Sequence, residues 1–280
     1  MKAKVILLTA VIVLGTSSFV QAQEGQLSGT ISLSYLNKYI WRGFDYYGDD
    51  HSAYRADLDV DLYGTGFGVE VLWARPFSAP LENSETLGVG LYYGNSCYQD
   101  ETYVTDFKIG WAYYGYPDEP RNGNPTSMRG QAADMQELYL TLSWPKICPA
   151  GVVPSYTIVD MWPSEGKSRA RNNAGLLHIL GLGYDFDVPG VLPDTPEQKV
   201  HLSAETVYNS GAAPGTIPGP GVTGSKIDHD WSHALFGIST DFNLTESLVF
   251  TPALYYQSSW EDSVNTEDQC WFTLGLAYKF

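Results

Sequence analysis

The 280-residue chain sets 16 Lys and Arg against 32 Asp and Glu, a net charge of −16. That balance excludes a nucleic-acid partner, whose phosphates require clustered cations, and disfavours a strongly anion-selective pore. Three cysteines, Cys97, Cys148 and Cys270, are too few and too odd in number for a disulfide framework, and past the N-terminus no run of 18 apolar residues offers a transmembrane helix.

Residues 1–22 read as a secretory signal peptide: Lys2 and Lys4 precede the apolar run Val5–Leu14, and small residues lead to Ala22. Its removal would take the net charge to about −18. Residues 23–280 then form one domain whose dominant feature is alternation. Leu27, Gly29, Ile31, Leu33 and Tyr35 alternate with Ser28, Thr30, Ser32 and Ser34. Tyr54, Ala56, Leu58, Val60 and Leu62 alternate with Arg55, Asp57, Asp59 and Asp61, and Phe67, Val69, Val71 and Trp73 with Gly68, Glu70 and Ala74. The pattern recurs over 87–93, 103–113 and 138–144. It is weak over 152–162, where both faces carry apolar residues, and His178 interrupts it in 174–186. Segments 200–208, 234–242, 248–256 and 272–280 complete a set of twelve, the last carrying Phe272, Leu274, Leu276, Tyr278 and Phe280 on one face.

Strands send alternate side chains to opposite faces, so each segment has one apolar and one polar or small face. The expected fold is all-β: a transmembrane antiparallel up-and-down β-barrel of about 12 strands. Apolar residues face lipid, polar residues face a lumen, and both termini lie in the periplasm. The connections agree. Gly64-Thr65-Gly66 and Asn243-Leu244-Thr245-Glu246 are tight turns on one side, whereas 43–52, 76–85, 115–133, 163–173, 209–230 and 257–269 are long, polar loops on the other. The eighth connection, 187–199, is long for the short-turn side.

The first strand ends in Ser34-Tyr35-Leu36-Asn37-Lys38-Tyr39-Ile40-Trp41-Arg42-Gly43-Phe44. This stretch resembles the N-terminal signature of the TorF-like porin family of Gram-negative outer-membrane β-barrel proteins, in which a first strand runs into Tyr, an aromatic or aliphatic pair, and Arg-Gly. The matching residues are Tyr39, Ile40-Trp41 and Arg42-Gly43, followed by a second strand with alternating acids. The long insertion at 211–224 departs from the pattern. The resemblance implies a barrel with a pore role, with neither an established solute nor catalytic residues.

Asp57, Asp59 and Asp61 share a face at steps of two residues, with Glu70, Asp106, Glu137 and Glu205 at lumen parity in their own strands. Arg55, Lys108 and His201 face the same side, and Arg42 is placed at the outer rim, where lumen carboxylates or loop carbonyls can hold it. These residues predict either a water-filled channel with a negative wall or a narrow lumen plugged by charge pairs and inward-folded loops. His201, Ser203, Glu205 and Asn209 invite a barrel-phospholipase reading, but their parity faces them away from lipid. Asp228, His229 and His233 read as solvated loop residues rather than metal ligands. Tyr39, Trp41, Trp73, Trp144, Trp231 and Trp271 read as anchors at the membrane interfaces. Cys97 and Cys148, in turns on one side, are placed where a bridge could form.

The sequence thus predicts an exported outer-membrane channel for passive diffusion of small polar solutes, neutral or cationic. It predicts no catalysis, cofactor or metal. Lipid, the solutes and the barrel-assembly machinery are the expected partners, the last reached through Phe280 as assembly signal. A non-conducting structural or surface-binding barrel is the second reading and an enzyme the third.

Overall fold

The computed structural model describes residues 26–48, 51–77, 85–115, 134–164, 174–191, 197–213 and 227–280. The expected signal peptide and most of the 209–230 connection lie outside them. In chain order the elements are β1 (Ser28–Leu36), β2 (Ile40–Trp41), β3 (Phe44–Asp45), β4 (Ala53–Asp61), β5 (Phe67–Pro76), β6 (Thr86–Cys97), β7 (Thr105–Gly115) and β8 (Met135–Ser143). They continue with β9 (Val152–Pro163), β10 (Gly175–Pro189), β11 (Glu197–Ser210), β12 (His229–Thr240), β13 (Phe242–Asn243), β14 (Leu248–Ser259) and β15 (Gln269–Lys279). Apart from β2, β3 and β13, every strand pairs antiparallel with two others of the remaining twelve. β1 joins β15 and β12 joins β14, so twelve strands close into a barrel without a free edge.

Register follows from the alternation, because a slip of one residue would turn every apolar side chain inward. Ile31 sits opposite both Leu58 and Tyr278, an apolar row on the outer face. One residue earlier, Thr30 sits opposite both Asp59 and Lys279, a polar row on the inner face. The outer face is apolar across the middle of the barrel: Leu33, Leu91, Leu182, Ile238 and Leu254 stand exposed there. It ends in an aromatic band on each side. Near the long loops, Tyr35 packs on Tyr54 and Phe272, and Tyr54 on Phe77. Near the short turns, Phe67 packs on Tyr93, Tyr93 on Phe107 and Tyr184 on Phe186. An apolar belt flanked by two aromatic girdles suits a bilayer and would be costly in water.

The short-turn connections are 62–66, 98–104, 144–151, 190–196 and 241–247. The eighth is therefore shorter than the sequence suggests. β10 and β11 run 15 and 14 residues, with Asp187 opposite Lys199 and Pro189 opposite Glu197, so three residues at each end of the stretch read as loop are paired strand. His178, which interrupts the alternation, is an interfacial residue. It stays on the outer face, bonded through Nδ1 to the Tyr156 hydroxyl at 2.8 Å and flanked by Tyr208, as part of the aromatic band near the long loops. Cys97, Cys148 and Cys270 are all unpaired thiols.

Two other expectations are corrected. His229 and His233 belong to β12 rather than to a solvated loop. A β-bulge between Val207 and Tyr208 shifts the register there, turning Trp231 outward while His233 is buried inside. Trp271 is an inner-wall residue stacked on Tyr255, with ring centroids 5.3 Å apart, and not an interface anchor.

Candidate functional site: an inward hairpin in an acidic lumen

The connection after β1 does not spread over the rim. It folds into the barrel as the hairpin β2–β3, with Ile40 opposite Asp45 and Trp41 opposite Phe44. The two tip residues, Arg42 and Gly43, have φ of 54° and 87°. Positive φ at both central positions is the tight hairpin turn whose twist matches its strands, normally filled by Asn-Gly. Arg in that conformation is uncommon, and such outliers persist where surrounding contacts impose them.

Those contacts are numerous. Tyr39, Tyr46 and Tyr47 are buried and pack ring against ring at centroid distances of 5.4–5.5 Å, in one cluster with Leu36, Ala53 and Ala74. Trp41 packs on Tyr114 and on the Met135, Val159 and Leu177 cluster of the opposite wall. Phe44 joins Ala213, Ile227 and Val264. The Gln257 amide donates to the Gly43 carbonyl at 2.9 Å. Arg42 therefore lies deeper than the rim position the sequence suggests. It donates to both Glu137 carboxylate oxygens, at 3.1 and 3.3 Å, and the Tyr114 hydroxyl donates to the same carboxylate at 3.0 Å. Glu137 is only 3 % exposed. Burial opposes the charge on Arg42, but the Glu137 carboxylate and its neighbours outweigh it and hold the guanidinium above its ordinary pKa. Burial pushes the phenols of Tyr39 and Tyr47 up, which keeps both neutral.

Tyr39 and Trp41 are thus parts of a lumen plug rather than interface anchors. Sequence parity cannot see this, because a girdle and a packed plug use the same residue types. The available signal was the apolar content of the loop: Phe44, Tyr46 and Tyr47 fall between Gly43 and Gly48, where a solvated loop would be polar.

The remaining candidates line the inner wall below. Arg55 binds Asp57 through paired contacts of 2.8 and 2.9 Å. Asp59 accepts the Tyr92 hydroxyl at 2.7 Å, Lys108 pairs with Glu70, and the Lys108 ammonium stands 3.8 Å from the Tyr92 ring centroid. Tyr92 lies flat over Gly68 on the adjacent strand, where any side chain would overlap its ring. Contacts from Asp59 through Tyr92, Lys108 and Glu70 thus tie β4 to β7, and the Tyr139 hydroxyl donates to Glu70 at 3.5 Å from β8, while the Arg55–Asp57 pair stays within β4. Asp61 caps the 62–66 turn through the Gly64 N–H, and Asp106 accepts the Ser96 hydroxyl near the short-turn mouth. Glu205 stands apart from these, on the opposite wall beside the hairpin. The structure brings Arg42 to Glu137, Arg55 to Asp57 and Lys108 to Glu70. It does not gather all ten candidates into one ring.

His201 does not contact Ser203. It binds Asp185 through Nδ1 at 2.8 Å and lies 3.5 Å from Asp241, so His201 and Ser203 do not form a nucleophile–base pair. Among the described residues no group of His, Cys, Asp and Glu has a metal-site arrangement.

No protein-family model and no curated relative matches the sequence. Solved structures do match its fold. The KdgM porin is 10 % identical, over 90 % of this chain and 99 % of that one, with a TM-score of 0.50. The NanC porin is 10 % identical, over 90 % and 100 %, with a TM-score of 0.50. LpxR from Salmonella typhimurium gives the same four values, so the likeness extends to proteins with different names and establishes the barrel fold alone. The resemblance to TorF-like porins is not confirmed and rests on the Tyr39–Gly43 motif.

Proposed function

We propose that the protein is exported to the outer membrane and forms a porin-like channel for small polar solutes, neutral or cationic, narrowed at its long-loop end by the β2–β3 hairpin. The observation that carries this reading is the inner wall. Inside a barrel with an apolar exterior, the Arg55 and Asp57 side chains are 33 % and 30 % exposed, and those of Lys108 and Glu70 are both 35 % exposed. Ionised groups that open belong to water rather than to a dry core. Planar-bilayer recording tests the proposal, and no conductance from the folded protein, with the hairpin docked or released, would sink it. The non-conducting alternative draws support from the same hairpin, whose aromatic packing could close the lumen outright.

In this reading Asp57, Asp59 and Asp61 bias the channel towards cations. Changing all three to Asn should do more than weaken that bias, because Arg55 loses its counter-ion and becomes a bare positive charge in the wall. The reversal potential in a salt gradient should move from the cation side past zero; an unmoved potential would show that another part of the channel sets selectivity.

Phe280 is proposed as the assembly signal read by the barrel-assembly machinery. It exchanges backbone hydrogen bonds with Gly29, both 3.0 Å, and its ring covers that glycine at the closing seam. Phe280→Ala should reduce the fraction of chains reaching the heat-modifiable, closed form on unboiled gels while leaving the conductance of each inserted barrel unchanged. Normal insertion would remove this role.

A further inference from the structure

Between the hairpin tip and the barrel wall lies a cavity of about 140 Å³. A protein cavity of about 150 Å³ accommodates benzene, so this one takes a single compact ring or short chain and no oligomer. Its sides are largely apolar, formed by the indoles of Trp41 and Trp271 with Leu177, Ile179 and Leu235. Two ionic groups face it, and they differ. Arg42 is already neutralised by Glu137 at 3.1 Å. Glu205 receives no hydrogen bond or salt bridge among the described residues; Arg42 acts on it only at longer range, so one cation set against two carboxylates leaves the cavity one negative charge in excess. An unbalanced negative charge beside two indoles recognises a positive charge on an apolar body, since the carboxylate supplies the ion pair and the rings supply apolar area.

We infer that this cavity is a binding site for a small organic cation, an ammonium on a compact apolar body, with the ammonium at Glu205 and the body against Trp41 and Trp271. The inference rests on the channel reading, in which the site is a station for solutes passing the hairpin.

Isothermal titration of the detergent-solubilised full chain with benzylammonium tests it, with benzyl alcohol as the neutral counterpart. Benzylammonium should bind the wild type at least tenfold more tightly than Glu205→Gln, and benzyl alcohol should not distinguish the two. Ile179→Phe fills the cavity but keeps the carboxylate, and it should also abolish binding; this variant carries the test if Glu205→Gln does not fold to the heat-modifiable form. Equal affinity of benzylammonium for wild type and variants, equal affinity of the alcohol and the ammonium, or no binding at all would overturn the inference. Bilayer recording of the same preparation separates the two readings. Conductance without binding removes the site alone, whereas binding without conductance removes the channel and leaves a ligand-binding barrel.

Discussion

Gly43→Val should undock the hairpin and raise the single-channel conductance several-fold. Three contributions add at this residue. Its φ of 87° is a conformation that a β-branched residue adopts only under strain, costing of order 1–3 kcal/mol. A Cβ there would lie 2.6 Å from Nδ1 of His233, whose ring is buried and already shares a hydrogen bond with Ser232, so the ring has little room to retreat. Displacement would also break the buried bond from Gln257 to the Gly43 carbonyl, worth about 1 kcal/mol. A combined loss of about 3 kcal/mol multiplies the undocked population roughly a hundredfold. Gly64→Val is the control. Its φ of 67° imposes comparable strain, but nothing lies within 4 Å of its would-be side chain and it sits in a short turn at the other end. It should lower stability without changing conductance. If Gly43→Val also conducts like the wild type while limited proteolysis shows the hairpin released, the hairpin is not the constriction.

What the sequence made legible and what it hid divide along one physical line. Period-2 alternation reports which face a residue takes within a regular strand. That was enough for the twelve strands, for the outward set ending in Phe280, and for the inward set of Asp57, Asp59, Glu70 and Lys108. Alternation fails wherever the backbone breaks its period. Ser232 is the extra residue of the bulge opposite Val207 and Tyr208, so Trp231 and His233, two apart in sequence, take opposite faces, one outside and the other under Gly43. No residue type near 207 announces it, since bulges arise from the fit of two strands and not from a local preference.

The hairpin was hidden differently. Its tip motif stood out in the sequence, and a plugged lumen of charge pairs and inward loops was one of the two arrangements expected. Its destination was not encoded locally, because Arg42 finds Glu137 across 95 residues of sequence. Long-range pairing of that kind depends on closure of the barrel, which brings β8 opposite the loop after β1. Parity alone placed Glu137 on the inner wall without saying what it meets.

Glu137→Ala should release the hairpin as well, and for a reason that a double variant can isolate. The substitution strips the Arg42 guanidinium of its two hydrogen bonds and leaves the Tyr114 hydroxyl without its acceptor. Removing one partner of a fully buried pair costs about 3–5 kcal/mol. Arg42 is 21 % exposed, so water recovers part of that, and a loss of about 2 kcal/mol is expected. Two kcal/mol raises the undocked-to-docked ratio roughly thirtyfold. Hydrogen exchange of the 39–47 amides should accelerate accordingly, and current traces should show frequent long openings. Arg42→Leu combined with Glu137→Leu removes both charges at once. Apolar groups of similar size commonly replace a buried ion pair at no net cost, so the double variant should dock nearly as well as the wild type, with slow exchange and rare openings. If it opens as readily as Glu137→Ala, the charge pair is not the latch, and the packing of Trp41, Tyr46 and Tyr47 alone holds the hairpin in place.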